Sequence, residues 1–128
     1  MNILKFSKYP PIEGGESSKA YWLSKALGKR NNKVTLITNA YEVEDNYREQ
    51  INGDDLDFYK PKNVEVINTS PFNMPNFIPS FNPMDIKLIS KGISFLESGE
   101  TDIIEGSYLL PYGFAAHYLG KEFKKPVV

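Results

Sequence analysis

Residues 1–38 decide the fold, and they read MNILKFSKYPPIEGGESSKAYWLSKALGKRNNKVTLIT. Two short apolar runs rich in β-formers, Asn2–Phe6 and Lys33–Thr38, flank a segment in which Ala20, Leu23 and Leu27 recur at helical spacing. The stretch predicts a βαβ unit. Its two strands should lie side by side and parallel, because crossovers of this kind are almost always right-handed.

A proline-rich turn with a glycine pair connects the first strand to the helix. Gly14 and Gly15 let the backbone approach a ligand closely, and the helix that follows offers free N–H groups and the positive end of its dipole. Ser17 is predicted to cap one of these N–H groups. The junction favours an anionic group such as a diphosphate, although glycine pairs also occur in simple strand-to-helix turns.

The rest of the chain repeats the alternation of strands and helices. Strands are predicted at 64–67 and 102–105, helices at 84–96 and 112–123, a loop at 106–111, and the start of a fifth strand at 126–128. Residues 41–62 are predicted to form a polar excursion with a partial helix at 44–51. The aromatic and proline-rich segment 71–83 is predicted to be irregular. The pattern predicts one Rossmann-like α/β domain over residues 1–128, a doubly wound parallel sheet in three layers. Because residues 126–128 begin a strand, we expect the chain to be a fragment of a longer protein.

Composition narrows the classes of function. The 128 residues include 15 basic and 16 acidic side chains, so the net charge of −1 gives no field for nucleic acid. The chain has no cysteine and a single histidine, His117, which we predict to lie at the surface; no metal or cofactor is expected. Glu13, Glu16 and Glu105 are predicted to be solvated or capping residues, and we assign no catalytic residue. Without an apolar run of about 20 residues, the protein is expected to be soluble and cytoplasmic.

Two ordered blocks resemble one family of enzymes. The first block holds Tyr9-Pro10-Pro11, Gly14-Gly15, residues 23–27 and residues 33–38; the second holds residues 102–104, Tyr108, Pro111, Gly113, residues 115–116 and residues 125–128. Together they resemble the N-terminal domain of family 4 glycosyltransferases, which are retaining enzymes of the GT-B architecture. The resemblance covers about two-thirds of the chain and misses residues 41–95.

The resemblance implies a two-domain enzyme that transfers a sugar from a nucleotide-sugar donor to a sugar or lipid-linked acceptor. Gly14 and Gly15 would contact the donor diphosphate. The acceptor side would be formed by Tyr9, Ser107, Tyr108 and Tyr112. The paired glutamates and the nucleotide-base pocket of the family belong to a C-terminal domain outside this sequence, so the fragment alone is predicted to be inactive.

Several alternatives stay open at this stage. The chain could be a non-catalytic α/β binding module, or an interaction module that self-associates through its last strand. Residues 72–81 could contact a lipid-linked acceptor or the inner face of a membrane, while packing of these rings on their own domain is favoured. The basic residues of the first helix are interpreted as a solvated face, with peripheral membrane contact as the second interpretation.

Overall fold

The computed structural model describes residues 1–10, 12, 14–38, 60–69 and 83–128. The predicted helix at 44–51 and the segment 72–81 lie outside the described residues. Within the described residues the regular elements are β1 (Asn2–Phe6), α1 (Gly15–Lys29), β2 (Lys33–Thr38), β3 (Val64–Asn68), α2 (Pro83–Leu96), β4 (Ile103–Gly106), a π-helical turn (Leu109–Gly113) and α3 (Phe114–Phe123).

The four strands form one parallel sheet in the order β3-β2-β1-β4. Ile3 stands opposite Val34 on one side and opposite Ile103 on the other. Val127 adds an isolated parallel bridge to Ile104, where the sequence predicts a fifth strand. The strand order reverses at β1, which confirms the predicted doubly wound α/β fold.

Helices cover both faces of the sheet because β1 and β2 are apolar on both sides. One face of β1, with Leu4 and Phe6, packs in a buried cluster with Leu88 of α2 and Leu119 of α3. The opposite face carries a smaller cluster with α1: Tyr9, Ala20, Tyr21 and Leu36. Strands buried on both faces read as continuous apolar runs, as in parallel sheets generally. None of the described helices is long and apolar enough to cross a lipid bilayer.

The segment after β4 differs from the prediction of a loop at 106–111 followed by a helix from residue 112. The chain forms the π-helical turn first, and α3 begins at Phe114. Leu110 precedes Pro111 and is extended, with φ −126° and ψ 139°, as residues before proline usually are. A side chain at Gly113 would overlap the carbonyl oxygen of Tyr108, so glycine permits the tight return of the backbone.

Ser17 does not cap α1, and that prediction was wrong. The helix already begins at Gly15, so Ser17 is its third residue, and its side chain is fully buried. Its hydroxyl has no hydrogen-bond partner, and no side chain caps the helix N-terminus. The N–H groups of the first turn, which lack intrahelical acceptors, are therefore left without a side-chain cap.

Candidate functional site

A crevice opens at the carboxyl ends of β1 and β4, beside the N-terminus of α1. Its cavity measures about 300 Å³. The lining residues are Gly15, Glu16, Lys19, Ser107 and Tyr108. Ligands of doubly wound sheets bind outside the carboxyl ends of the strands, at the point where the strand order reverses. The crevice occupies that point here, because α1 follows β1 on one face of the sheet while α2 and α3 cover the other.

The glycine pair forms the start of α1, with Gly14 as the N-cap and Gly15 as the first helical residue. Gly14 has φ 144° and ψ 158°, a conformation that L side chains rarely adopt. The backbone of Gly15 is not in such a conformation, and a Cβ added there would meet no atom within 4 Å. Both glycines are exposed, so the backbone at the start of α1 is open to a ligand.

Glu16 places a carboxyl group in this crevice. Its Oε1 accepts a hydrogen bond of 3.3 Å from the hydroxyl of Ser7, the residue that follows β1, and its Oε2 is buried without a hydrogen-bond partner. Burial raises the pKa of Glu16 above the ordinary 4.5, and the hydroxyls of Ser7 and Ser107 and the charges of Lys8 and Lys19 counteract this shift only in part. Glu16 was predicted to be solvated or capping; it is instead partly buried, and α1 has no side-chain cap.

Tyr108 forms the outer wall of the crevice in a conformation that is rare for its residue type. Its φ of 61° and ψ of 173° lie in a region used almost only by glycine, and 69% of the residue is exposed. Such backbone conformations cost of order 1–3 kcal/mol and occur most often at functional sites. Leu109 beside it is 82% exposed, so the chain presents aromatic and apolar surface at the crevice.

The structure divides the four predicted acceptor-side residues into two pairs. Ser107 and Tyr108 line the crevice. Tyr9 is 2% exposed and packs against Tyr21 with ring centroids 6.4 Å apart, and burial raises the pKa of its hydroxyl. Tyr112 is 1% exposed in the cluster under α2 and α3. These two rings are packing residues in this structure, and neither offers surface to a ligand.

A buried ion pair lies beside the crevice, and the sequence analysis did not predict it. Lys5 of β1 is 1% exposed, and its Nζ lies 2.5 Å from Oε1 of Glu105, which stands opposite it in β4. Glu105 was predicted to be solvated or capping; it is instead the counter-charge of a lysine in the sheet. The pair joins the two strands whose ends form the crevice. His117 is exposed on α3, as predicted.

The crevice combines a carboxyl group, an ammonium group, a hydroxyl and an aromatic ring in one small cavity. Hydroxyl and carboxyl oxygens accept hydrogen bonds from ligand hydroxyls, while the lysine and the free N–H groups of α1 donate to ligand oxygens. The lining is therefore suited to a polar, oxygen-rich ligand.

Comparison with known proteins identifies the fold. No family model matches the chain, and no curated protein matches it. A solved structure of the C-terminal domain (residues 83–215) of PF1911 hydrogenase from Pyrococcus furiosus superposes with a TM-score of 0.63 at 20% identity, covering 99% of this chain and 88% of that chain. A second structure of that domain (residues 78–226) gives a TM-score of 0.60 at 20% identity and the same coverage. At this identity the similarity shows a shared α/β fold.

Proposed function

We propose that this chain is the N-terminal, acceptor-side domain of a retaining GT-B glycosyltransferase, which transfers a sugar from a nucleotide-sugar donor. The observation that carries the proposal is the crevice between the ends of β1 and β4, which brings Gly15, Lys19, Ser107 and Tyr108 together. The two sequence blocks that resemble family 4 glycosyltransferases supply Gly15 and Tyr108 from opposite ends of the chain. The donor diphosphate lies against the Gly14-Gly15 junction, and the acceptor contacts Ser107 and Tyr108.

The proposal assigns the nucleotide-base pocket and the paired glutamates to a C-terminal domain. The described residues of this chain therefore supply one wall of the donor site, and we expect weak binding and no sugar transfer by the chain alone. Neither a metal nor a further cofactor has a role in the proposal; the nucleotide sugar is a substrate.

A panel of nucleotide sugars tests the proposal directly. Saturation-transfer difference NMR on the purified chain should detect binding of at least one uridine, guanosine or adenosine diphosphate sugar. Lys19→Gln should weaken that binding, while Lys121→Gln, which removes an exposed charge on α3, should leave it unchanged. Absence of binding to the whole panel, or equal effects of the two lysine variants, would contradict the proposal. Sugar transfer by the chain above the level of a Gly14→Ala, Gly15→Ala control would contradict the predicted inactivity.

A non-catalytic interaction module is the second candidate, and an apolar groove favours it. The groove measures about 470 Å³, and its apolar lining includes Ile3, Leu23, Leu27, Ile103 and Val128. Val128 is 70% exposed in the outermost segment of the sheet, where a second copy could add a strand. Sedimentation equilibrium distinguishes the candidates: a dimer that Val127→Pro disrupts supports self-association, and a monomer at high concentration excludes it.

Peripheral membrane contact is the remaining part of the proposal. Lys19 and Lys29 on α1 and Arg30 directly after it are exposed and could face anionic lipid headgroups. Co-sedimentation with vesicles that contain anionic lipid, but not with neutral vesicles, would support this contact. Absence of binding to both would remove it.

A further inference from the structure

The position of Glu16 has a consequence for the charge of the ligand. Glu16 is the second residue of α1, so its carboxyl group lies at the end of the helix where an anionic group would accept hydrogen bonds. We propose that Glu16 determines specificity by charge: it weakens the binding of a phosphate or diphosphate at the N-terminus of α1 and leaves the binding of uncharged, hydroxyl-bearing groups unaffected. The inference rests on the proposed function for the identity of the diphosphate, and it adds a residue that limits the affinity for that group.

The carboxyl group lies at the ends of two strands. The hydroxyl of Ser7, after β1, donates a hydrogen bond of 3.3 Å to Oε1, and Ser107, after β4, lines the same crevice. Oε2 is buried and has no hydrogen-bond partner. A side chain fixed in this way does not turn freely into solvent when an anion enters, so its negative charge stays beside the entrance to α1.

The repulsion depends on the ionised form of Glu16. Burial raises the pKa of Glu16 and so opposes ionisation, whereas the charges of Lys8 and Lys19 favour the ionised carboxyl group; the repulsion of an anion therefore grows as pH rises. Lys19 also lines the crevice and attracts an anion there. Glu16 and Lys19 thus have opposite effects on one ligand group, and substitution of each should move its affinity in the opposite direction.

Inorganic diphosphate is the probe that isolates this effect. Two like charges within one small cavity change a binding constant by about tenfold or more at low ionic strength. Isothermal titration calorimetry at neutral pH should therefore give a Kd at least about tenfold lower for Glu16→Gln than for the unmodified chain. Glutamine retains the shape of the side chain and can accept the hydrogen bond from Ser7. Glu122→Gln, which removes an exposed carboxylate on α3, is the matched control and should change the Kd by less than about twofold.

Glu16→Ala provides a second variant in case the amide of glutamine perturbs the crevice, and far-UV circular dichroism verifies that each variant is folded. Equal Kd values for the chain and both Glu16 variants would overturn the inference, and so would undetectable binding of diphosphate to all of them. An equally tight Glu122→Gln variant would also overturn it, because the effect would then reflect net charge alone.

A parallel titration with nucleotide sugars separates this inference from the proposed function. If Glu16→Gln binds diphosphate more tightly while no variant binds a nucleotide sugar, the charge effect stands and the proposed function fails. If the unmodified chain and Glu16→Gln bind a nucleotide sugar equally well, the proposed function stands and the inference fails.

Discussion

Replacement of Glu105 by glutamine tests the buried ion pair beside the crevice. The Nζ of Lys5 lies 2.5 Å from Oε1 of Glu105, and the two side chains are 1% and 19% exposed. Removing one partner of a buried pair typically costs about 3–5 kcal/mol, because the other charge stays buried without compensation. Since Glu105 is partly exposed, we expect the lower end of that range, about 3 kcal/mol. That loss is a large part of the roughly 5–15 kcal/mol by which domains are stable.

Urea denaturation followed by circular dichroism measures this loss. For an m-value of about 1–3 kcal/mol per molar urea, the transition midpoint should fall by roughly 1–3 M with m unchanged. Glu100→Gln is the matched control, because Glu100 pairs with Lys33 at 3.6 Å and both side chains are more than half exposed, at 68% and 60%. An exposed pair of this kind contributes about 0–1 kcal/mol.

The double variant Lys5→Met, Glu105→Leu completes the experiment. Well-packed apolar residues often replace a buried pair without loss, so this variant should recover most of the stability that Glu105→Gln loses. A loss in Glu105→Gln no larger than that in Glu100→Gln would refute the reasoning.

Two further predictions concern the residues around the crevice. Gly106→Ala should lower the free energy of unfolding by about 1–3 kcal/mol, because the added Cβ would lie 2.6 Å from the Cβ of Ala116. Gly15→Ala is the control: its added Cβ meets no atom within 4 Å, so the melting temperature should stay unchanged. Equal effects of the two substitutions would contradict the packing of β4 on α3. Glu16→Gln should be more stable than the unmodified chain at neutral pH. The folded pKa of Glu16 lies above the ordinary 4.5, so the unmodified chain loses folding stability as pH rises and the buried carboxyl group ionises. The difference in melting temperature between the two proteins should therefore vanish in acid. A difference that is constant with pH would exclude the titration of Glu16.

Local patterns were sufficient to predict most of the described fold. Residues 1–38 carry their apolar periodicity and turn residues within one continuous stretch, so β1, α1 and β2 could be predicted from it. The same stretch also indicates where the crevice lies, because the carboxyl ends of the strands in a parallel sheet share one edge.

The features that were missed depend on contacts between distant parts of the chain. Lys5 looks like one polar residue in an apolar strand, and its burial follows from Glu105, a hundred residues later. Tyr9 and Tyr112 stand in or beside turns, where aromatic residues often contact ligands, yet here they fill the two sides of the sheet. Glu16 could have faced solvent; Ser7 and Ser107 hold it in the crevice. The opposite charges of Lys5 and Glu105, each within a short apolar run, were the sequence signal for the ion pair.

Backbone amide chemical-shift mapping with a nucleotide sugar tests the central claim most directly. Titration of the ¹⁵N-labelled chain should shift the amide resonances of Gly14, Gly15, Lys19, Ser107 and Tyr108. The resonances of Lys91 on α2 and Lys121 on α3, at the other face of the sheet, should stay in place. Shifts of this first group that grow with ligand concentration are the result the account predicts. Shifts confined to the other face, or an unchanged spectrum at millimolar ligand, would contradict it.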